Sequence, residues 1–356
     1  MKKVLFVAQN LQIGGVQKAL VNHLKTLSAT DEAVLFTFGE GPLMKEIPAF
    51  VRVIRGLRLL RLVATPMQAV LESKKLIDIF LRLLLTLLVR VTGSDRLYRW
   101  LLKGYCAETF DTAISYFNDV PNNYFNQGTN LFVSDFVQAE EKLAWIHTDP
   151  IKAKFDRERC LETYRKFDRI VCVSRAVQSK FQQLLPEYAE KTEVIYNFIP
   201  VEELQTLAQE KHSYSIGKFH IVTVGRVDNA SKRIDGIVRI CARLKSEGIT
   251  LFQWHIVGNG PDMSLNQQLA KELEVEDLLC FEGEKTNPFP YIKHADLFAL
   301  YSAYEGYPMV IGEAQALGTF ILTTNYAAAK EQVTPEQGII TKTDEEFYHE
   351  LKRLIL

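Results

Sequence analysis

Long apolar runs, paired cysteines and an excess of charge of one sign are all missing from this chain of 356 residues. The 42 Lys and Arg nearly cancel the 43 Asp and Glu, leaving a formal net charge of −1. No global pull toward nucleic acid follows, and charge matters only where it is unevenly spread. Cys106, Cys160, Cys172, Cys241 and Cys280 lie far apart with no Cys-x-x-Cys pair. That spacing points away from a disulfide scaffold or a clustered zinc site and toward buried, reduced thiols of a cytoplasmic protein. The apolar start at residues 4–8 stops at Gln9-Asn10, too soon for an export signal, and reads as a buried first strand. The longest apolar stretch, 76–89, is interrupted by Asp78 and Arg82. It falls short of the about 20 residues a spanning helix needs. The Gly-x-Gly-x-x-Gly fingerprint is absent from the first strand–helix turn, and no acid closes the second strand, which removes the nicotinamide-binding pattern.

What is present is an alternation of short apolar runs and helical patterns. Candidate strands fall at 4–8, 33–38, 112–116, 143–146, 169–173 and 193–196. Helices are expected at 16–27, at 151–167 and after Ser174, a good N-cap residue. The pattern pauses over 197–218, which holds Pro200 and Gly217, with room for a short helix. It restarts with strands at 219–224, 252–257, 297–300 and 320–323 and helices at 233–246, 261–273 and 308–317. Apolar runs without alternation suit strands covered on both faces. Two parallel, Rossmann-like α/β sheets in tandem are therefore predicted, over residues 1–198 and 199–356, facing each other across a cleft. Ligand residues should sit just after strands.

One segment stands apart. From 52 to 103 the basic residues Arg52, Arg55, Arg58, Arg61, Lys74, Lys75, Arg82, Arg90, Arg96, Arg99 and Lys103 meet only Glu72, Asp78 and Asp95. Basic and leucine-rich together, this segment reads as a surface lying on an anionic bilayer. The plainer alternative is a helical hairpin whose leucines fill the first core.

Four places carry chemistry. Gly14-Gly15 follows the first strand and opens a helix, where a backbone can approach an anion, although a plain turn has the same residues. Gly225-Arg226 closes a strand, with Lys232 six residues on. Two cations at a sheet's carboxyl edge suit a diphosphate, and a surface pair is the bland alternative. Glu305-Gly306-Tyr307-Pro308 leads into a helix carrying Glu313, so two carboxylates can accept hydrogen bonds from several hydroxyls. A capping acid and a surface acid would look alike. His147 ends a strand within Trp145-Ile146-His147-Thr148-Asp149, where a structural histidine is the alternative.

Glu305 to Glu313, preceded by Gly225-Arg226, Lys232 and Val257-Gly258-Asn259-Gly260-Pro261, resembles the retaining glycosyltransferases of family four, which have the GT-B fold. Gly14-Gly15 and Ile195-Tyr196-Asn197 agree, and the stretch around His147 is similar to members that build capsular or other surface polysaccharides. The resemblance implies a nucleotide-sugar donor, UDP- or GDP-linked, held by the second domain. Arg226 and Lys232 would hold its diphosphate and Glu313 its ribose, while Glu305 and the backbone at Gly306, Tyr307 and Pro308 would hold the sugar and phosphate. Gly225 and Gly258 would border the donor, Gly15 would approach the phosphate, and His147 would face the transferred sugar. His147, Glu305, Arg226 and Lys232 are thus the expected catalytic group. No metal or cofactor is implied, and no Asp-x-Asp motif offers one. The acceptor, bound by the first domain, would be a saccharide or lipid-linked saccharide at the inner membrane face. Departures from the family pattern are the spacing from Arg226 to Lys232, Arg233 in place of a glycine, and Ala327-Ala328-Ala329-Lys330-Glu331 in place of a glycine-containing loop. A catalytically silent, sugar-nucleotide-binding partner subunit of a glycosyltransferase complex and a sugar-nucleotide epimerase remain alternatives.

Overall fold

The computed structural model describes residues 2–28, 30–105, 108–119, 125 and 128–356, and only the backbone of Gln68 and Glu72. Cys106 lies outside the described residues, as does the side chain of Glu72. The chain forms two compact units, Met1–Phe198 and Ile199–Leu356.

The first unit is a seven-stranded sheet of β1 (Lys3–Ala8), β2 (Glu32–Thr37), β3 (Arg52–Arg55), β4 (Thr109–Ser115), β5 (Gln138–Ile146), β6 (Arg169–Cys172) and β7 (Thr192–Val194). Its order is β3-β2-β1-β4-β5-β6-β7, with every pair parallel. The second is a six-stranded sheet of β8 (Phe219–Val224), β9 (Phe252–Val257), β10 (Leu279–Gly283), β11 (Leu297–Leu300), β12 (Ile321–Thr324) and β13 (Gly338–Thr341). Its order is β10-β9-β8-β11-β12-β13, again all parallel. Chain order reverses between β1 and β4 and between β8 and β11. At such switch points the flanking loops part and leave a crevice beyond the strand ends. Both faces of the strands are covered, which is why Leu5, Phe6, Val7 and Ala8, or Phe298, Ala299 and Leu300, run on without a polar residue and lie buried.

Several expectations needed correction. The helix expected over 151–167 is a turn followed by the helix Arg157–Tyr164. Lys154 adopts a left-handed φ of 56°, which stops helical propagation, and Asp156 then caps the new start by accepting from the Arg159 amide at 3.0 Å. Strands β3, β10 and β13 were not foreseen, because each is short and polar or glycine-ended and none carries a long apolar run. Gly14-Gly15 does not directly follow β1, since residues 9–14 intervene before the helix Gly15–Thr26. Pro308 is the N-cap of its helix, one position before the first turn.

The basic, leucine-rich segment is neither a simple hairpin nor wholly core. It folds as the helices Arg58–Ala64, Met67–Glu72, Leu76–Thr92 and Ser94–Leu101. The longest of these buries Arg82, Leu85 and Val89, while Leu76, Ile77, Phe80, Leu83, Leu84, Leu87 and Val91 are each more than half exposed. No helix among the described residues is long and apolar enough to cross a membrane.

Candidate functional site

The carboxyl edge of the second sheet is built by backbone packing. After β8, the Gly225 amide donates to the Val257 carbonyl and the Val227 amide to the Asn259 carbonyl, both at 3.0 Å. A Cβ at Gly258 would lie 1.8 Å from the Gly225 carbonyl oxygen, and φ there is +147°. Only glycine lets these two loops touch. Asp228 then caps the single turn Asn229–Lys232, accepting from the Ala230 and Ser231 amides at 3.0 and 3.2 Å. Arg233, at a left-handed φ of 51°, separates this turn from the helix Ile234–Ser246. Arg233 is held there by Asp344 at 2.6 and 2.8 Å, with its guanidinium 4.2 Å from the centre of the Tyr301 ring.

The break folds Lys232 back over Gly225, where the Lys232 Cε would lie 3.4 Å from a Cβ. The Lys232 ammonium donates to Glu305 Oε1 at 2.5 Å, and the Ser302 hydroxyl donates to the same oxygen at 2.7 Å. The two ion-pair side chains are mostly shielded, 16% and 15% exposed, so solvent screens them less than a surface pair. Arg226 is two-thirds exposed and pairs with Asp228. Arg226 follows β8 and Glu305 follows β11, so they flank the switch point of this sheet.

Glu313 lies on the helix Met309–Ala316 and is buried. The turn before it is braced by two residues that the sequence reading missed. Gln332 donates through Nε2 to the Pro308 carbonyl at 3.1 Å and accepts from the Tyr326 hydroxyl at 2.7 Å. The anomalous alanine run between them was the only sequence signal. The structure thus brings Gly225, Lys232, Glu305 and the Gly258 loop together, with Arg226 at the rim and Glu313 on the helix that follows.

The first unit carries a different kind of edge. Gly14 caps the helix Gly15–Thr26 with no side chain, and a Cβ on Gly15 would meet nothing within 4 Å. The loop before it is tied by Asn10, whose Nδ2 donates to the Ala64 carbonyl and whose Oδ1 accepts from Gln17 Nε2, both at 2.9 Å. His147, directly after β5, is buried. Its amide donates to Asn118 Oδ1 at 2.6 Å, and its Nε2 lies 2.9 Å from the Tyr116 carbonyl oxygen. A carbonyl only accepts, so Nε2 carries the proton and Nδ1 keeps its lone pair. Burial lowers His147 to about 3, which makes the ring neutral near pH 7. His23, beside Tyr116 and Trp145, is lowered to about 4 by the same cause. Burial also pushes the thiols of Cys160 and Cys172 up to about 12, so these cysteines are inert.

Two parallel sheets of this kind are the GT-B fold. Over the whole chain and 90% of the other, the structure superposes on Anabaena HepE in complex with UDP and glucose, with a TM-score of 0.68 and 17% identity. Residues 218–356, most of the second unit, match the family described as Glycosyl transferases group 1. One curated relative, from Campylobacter jejuni, is N-acetylgalactosamine-N,N'-diacetylbacillosaminyl-diphospho-undecaprenol 4-alpha-N-acetylgalactosaminyltransferase. It is 28% identical over 51% of this chain and 49% of its own length. Another, N-acetyl-alpha-D-glucosaminyl L-malate synthase of Bacillus anthracis, is 27% identical over 47% of this chain and 44% of its own. The chain spans about half the length of the curated relatives it matches.

Proposed function

We propose that the chain is a retaining glycosyltransferase that moves a sugar from a UDP-sugar to a saccharide acceptor carried on a lipid, in the assembly of a surface polysaccharide. The observation that carries this reading is the shielded Lys232–Glu305 pair over Gly225, at the switch point of the second sheet. When the sugar–phosphate bond breaks, negative charge develops on the leaving diphosphate. Lys232, Arg226 and the N-terminus of the helix Met309–Ala316 are fixed positive charges and dipoles that stabilise it without reorganising. Each charge-assisted hydrogen bond contributes roughly 1.5–3 kcal/mol. Glu313 holds the ribose hydroxyls, while Glu305, released from Lys232 by the phosphate, holds sugar hydroxyls with the Gly306–Pro308 backbone. The first unit takes the acceptor. Gly15 offers a helix N-terminus to phosphate, and His147, as a neutral ring, offers a hydrogen bond to the sugar.

UDP is favoured over GDP because HepE binds it, and a lipid diphosphate acceptor because the Campylobacter relative is named for one. The exposed face of Leu76–Thr92 supports the lipid. Around it Lys74, Lys75, Arg90, Arg96 and Lys103 are exposed, and among the described residues they have no ion-pair partner. Arg58 and Arg61 are instead paired with Asp78 and Glu40. Apolar side chains ringed by free cations suit the inner, anionic face of a membrane.

A thermal-shift panel of UDP, GDP, ADP and dTDP tests the donor. A shift with UDP that disappears in Glu313→Ala supports the reading, and no shift with any nucleotide overturns it. Co-flotation with phosphatidylglycerol vesicles that survives Lys74, Lys75, Arg90 and Arg96→Gln would sink the membrane part.

A further inference from the structure

Away from the donor edge, on the second sheet, three strands bring four chemistry-bearing side chains to one place. In the parallel pair β9–β10, Cys280 is the register partner of His255. The pairing then slips, so that Phe281 faces Ile256 and Gly283 faces Val257, leaving Glu282 as an extra residue. Such a bulge is rare in a parallel pair and re-aims a side chain. Here it brings Glu282 Oε1 to 2.9 Å from His255 Nδ1. His255 is buried and Cys280 and Glu282 are half-buried, and their ligand atoms all lie within 4.8 Å of one another.

The protons around this cluster can be counted. His220 Nε2 lies 2.8 Å from the Ser215 carbonyl oxygen, so it carries a hydrogen and His220 Nδ1 is an acceptor. That acceptor faces His255 Nε2 at 3.1 Å, which places the other hydrogen on His255 Nε2. His255 Nδ1 is then a lone pair pointing at a carboxylate oxygen. Two lone pairs at that distance repel unless a proton or a metal ion stands between them.

We propose that His255 Nδ1, Cys280 Sγ and the Glu282 carboxylate bind one divalent ion of the zinc type, with a water completing the tetrahedron on the half-exposed side. An imidazole, a thiolate and a carboxylate are the donor set zinc takes. Its bonds of about 2.0–2.3 Å set tetrahedral ligands roughly 3.3–3.8 Å apart, which small side-chain rotations achieve from the present spread. The hydrogen bond from His255 to His220, anchored on Ser215, is the outer partner that a metal-bound histidine needs to fix its tautomer. Tyr214 stacks on His220 with ring centres 4.5 Å apart and closes against His255 at 4.4 Å. β10 is the edge strand, and the Gly283 carbonyl accepts from the Gly258 amide at 2.9 Å. The ion would therefore clip the sheet edge one residue from the carbonyl that steadies the Gly258 loop. Binding expels the Cys280 proton, so uptake weakens as pH falls.

The test is a titration of chelator-stripped full-length protein with Co2+, followed by Zn2+ in a melting experiment. Wild type should take up about one equivalent of Co2+ with thiolate-to-metal and visible d–d absorption, and Zn2+ should raise the melting temperature. Cys280→Ser should lose the thiolate band, Glu282→Gln should bind more weakly, and His220→Phe should bind roughly 10–100-fold more weakly. Circular dichroism of the metal-free variants checks that each has folded. The proposal is overturned if wild type shows neither absorption nor a Zn2+ shift, since a shared proton then fills the gap. It is equally overturned if folded Cys280→Ser responds to both ions as wild type does, since the binding is then adventitious.

Discussion

The carboxyl edges of the two sheets face similar tasks with opposite materials. The second edge holds Lys232, Glu305 and Arg226 at short range, with glycine loops pressed backbone to backbone beneath them. The first holds His147 beside the Tyr116 ring, with the histidine neutralised by burial, and Gly15 at an open helix start. A diphosphate needs fixed positive charge, whereas a sugar hydroxyl needs only oriented hydrogen-bond partners. If the proposed function holds, the charge work falls to the second sheet and the positioning work to the first.

The largest effect should come from breaking the charged edge. Lys232→Ala is expected to lower the transfer rate by on the order of 10²–10³-fold, against roughly tenfold for His147→Asn, which loses one oriented hydrogen bond. Because His147 stays neutral down to about 3, kcat/KM between pH 5 and 9 should owe no inflection to it. An inflection removed by His147→Asn would reverse the contrast.

Glycines sharpen the comparison next. Gly258→Ala drives a Cβ into the Gly225 carbonyl and should cost about 3 kcal/mol or more in urea unfolding. Gly15→Ala meets open space and should be neutral or slightly stabilising, because alanine favours the helix. Comparable losses at both positions would show that the backbone contact is not what distinguishes the second edge.

Acid should trouble the first unit. The folded pKa of His147 is lowered, from 6.5 to about 3, so below pH 6.5 the unfolded chain binds a proton that the folded chain refuses. Stability is full above that value and falls as pH drops. His147 alone should remove about 2 kcal/mol between pH 7 and pH 5, and His23 acts in the same direction. Urea unfolding of wild type and His147→Asn at the two pH values measures the slope, which the variant should flatten.

The smallest change in stability should come from the exposed helix face. Leu84→Gln is expected to shift unfolding by no more than about 0.5 kcal/mol while reducing vesicle flotation. By contrast Leu85→Ala, one residue away and buried, should cost about 2–5 kcal/mol.

Much of the second unit was legible in the sequence. The spans 219–224, 252–257 and 297–300 are the strands β8, β9 and β11, because strands buried on both faces must be continuously apolar. The Gly225, Lys232, Glu305 and Glu313 positions were visible because each stands just after a readable strand or helix start. Gln332 and Tyr326 were not, since a buried glutamine gives no periodic signal and its partners are a carbonyl and a hydroxyl from other elements. The exposed leucines of Leu76–Thr92 could not be separated from core leucines by composition.

The sequence by itself determined the alternation of elements, the two parallel α/β sheets in tandem and the residues standing at strand ends, because periodicity and turn chemistry are local. Tertiary structure alone decided that Lys232 folds back onto Glu305, and that His147 is neutral. It alone set His255 beside Cys280 and Glu282, which follow it by 25 and 27 residues in the chain. Register, burial and a bulge in one strand are set by packing between distant segments, which no local pattern encodes.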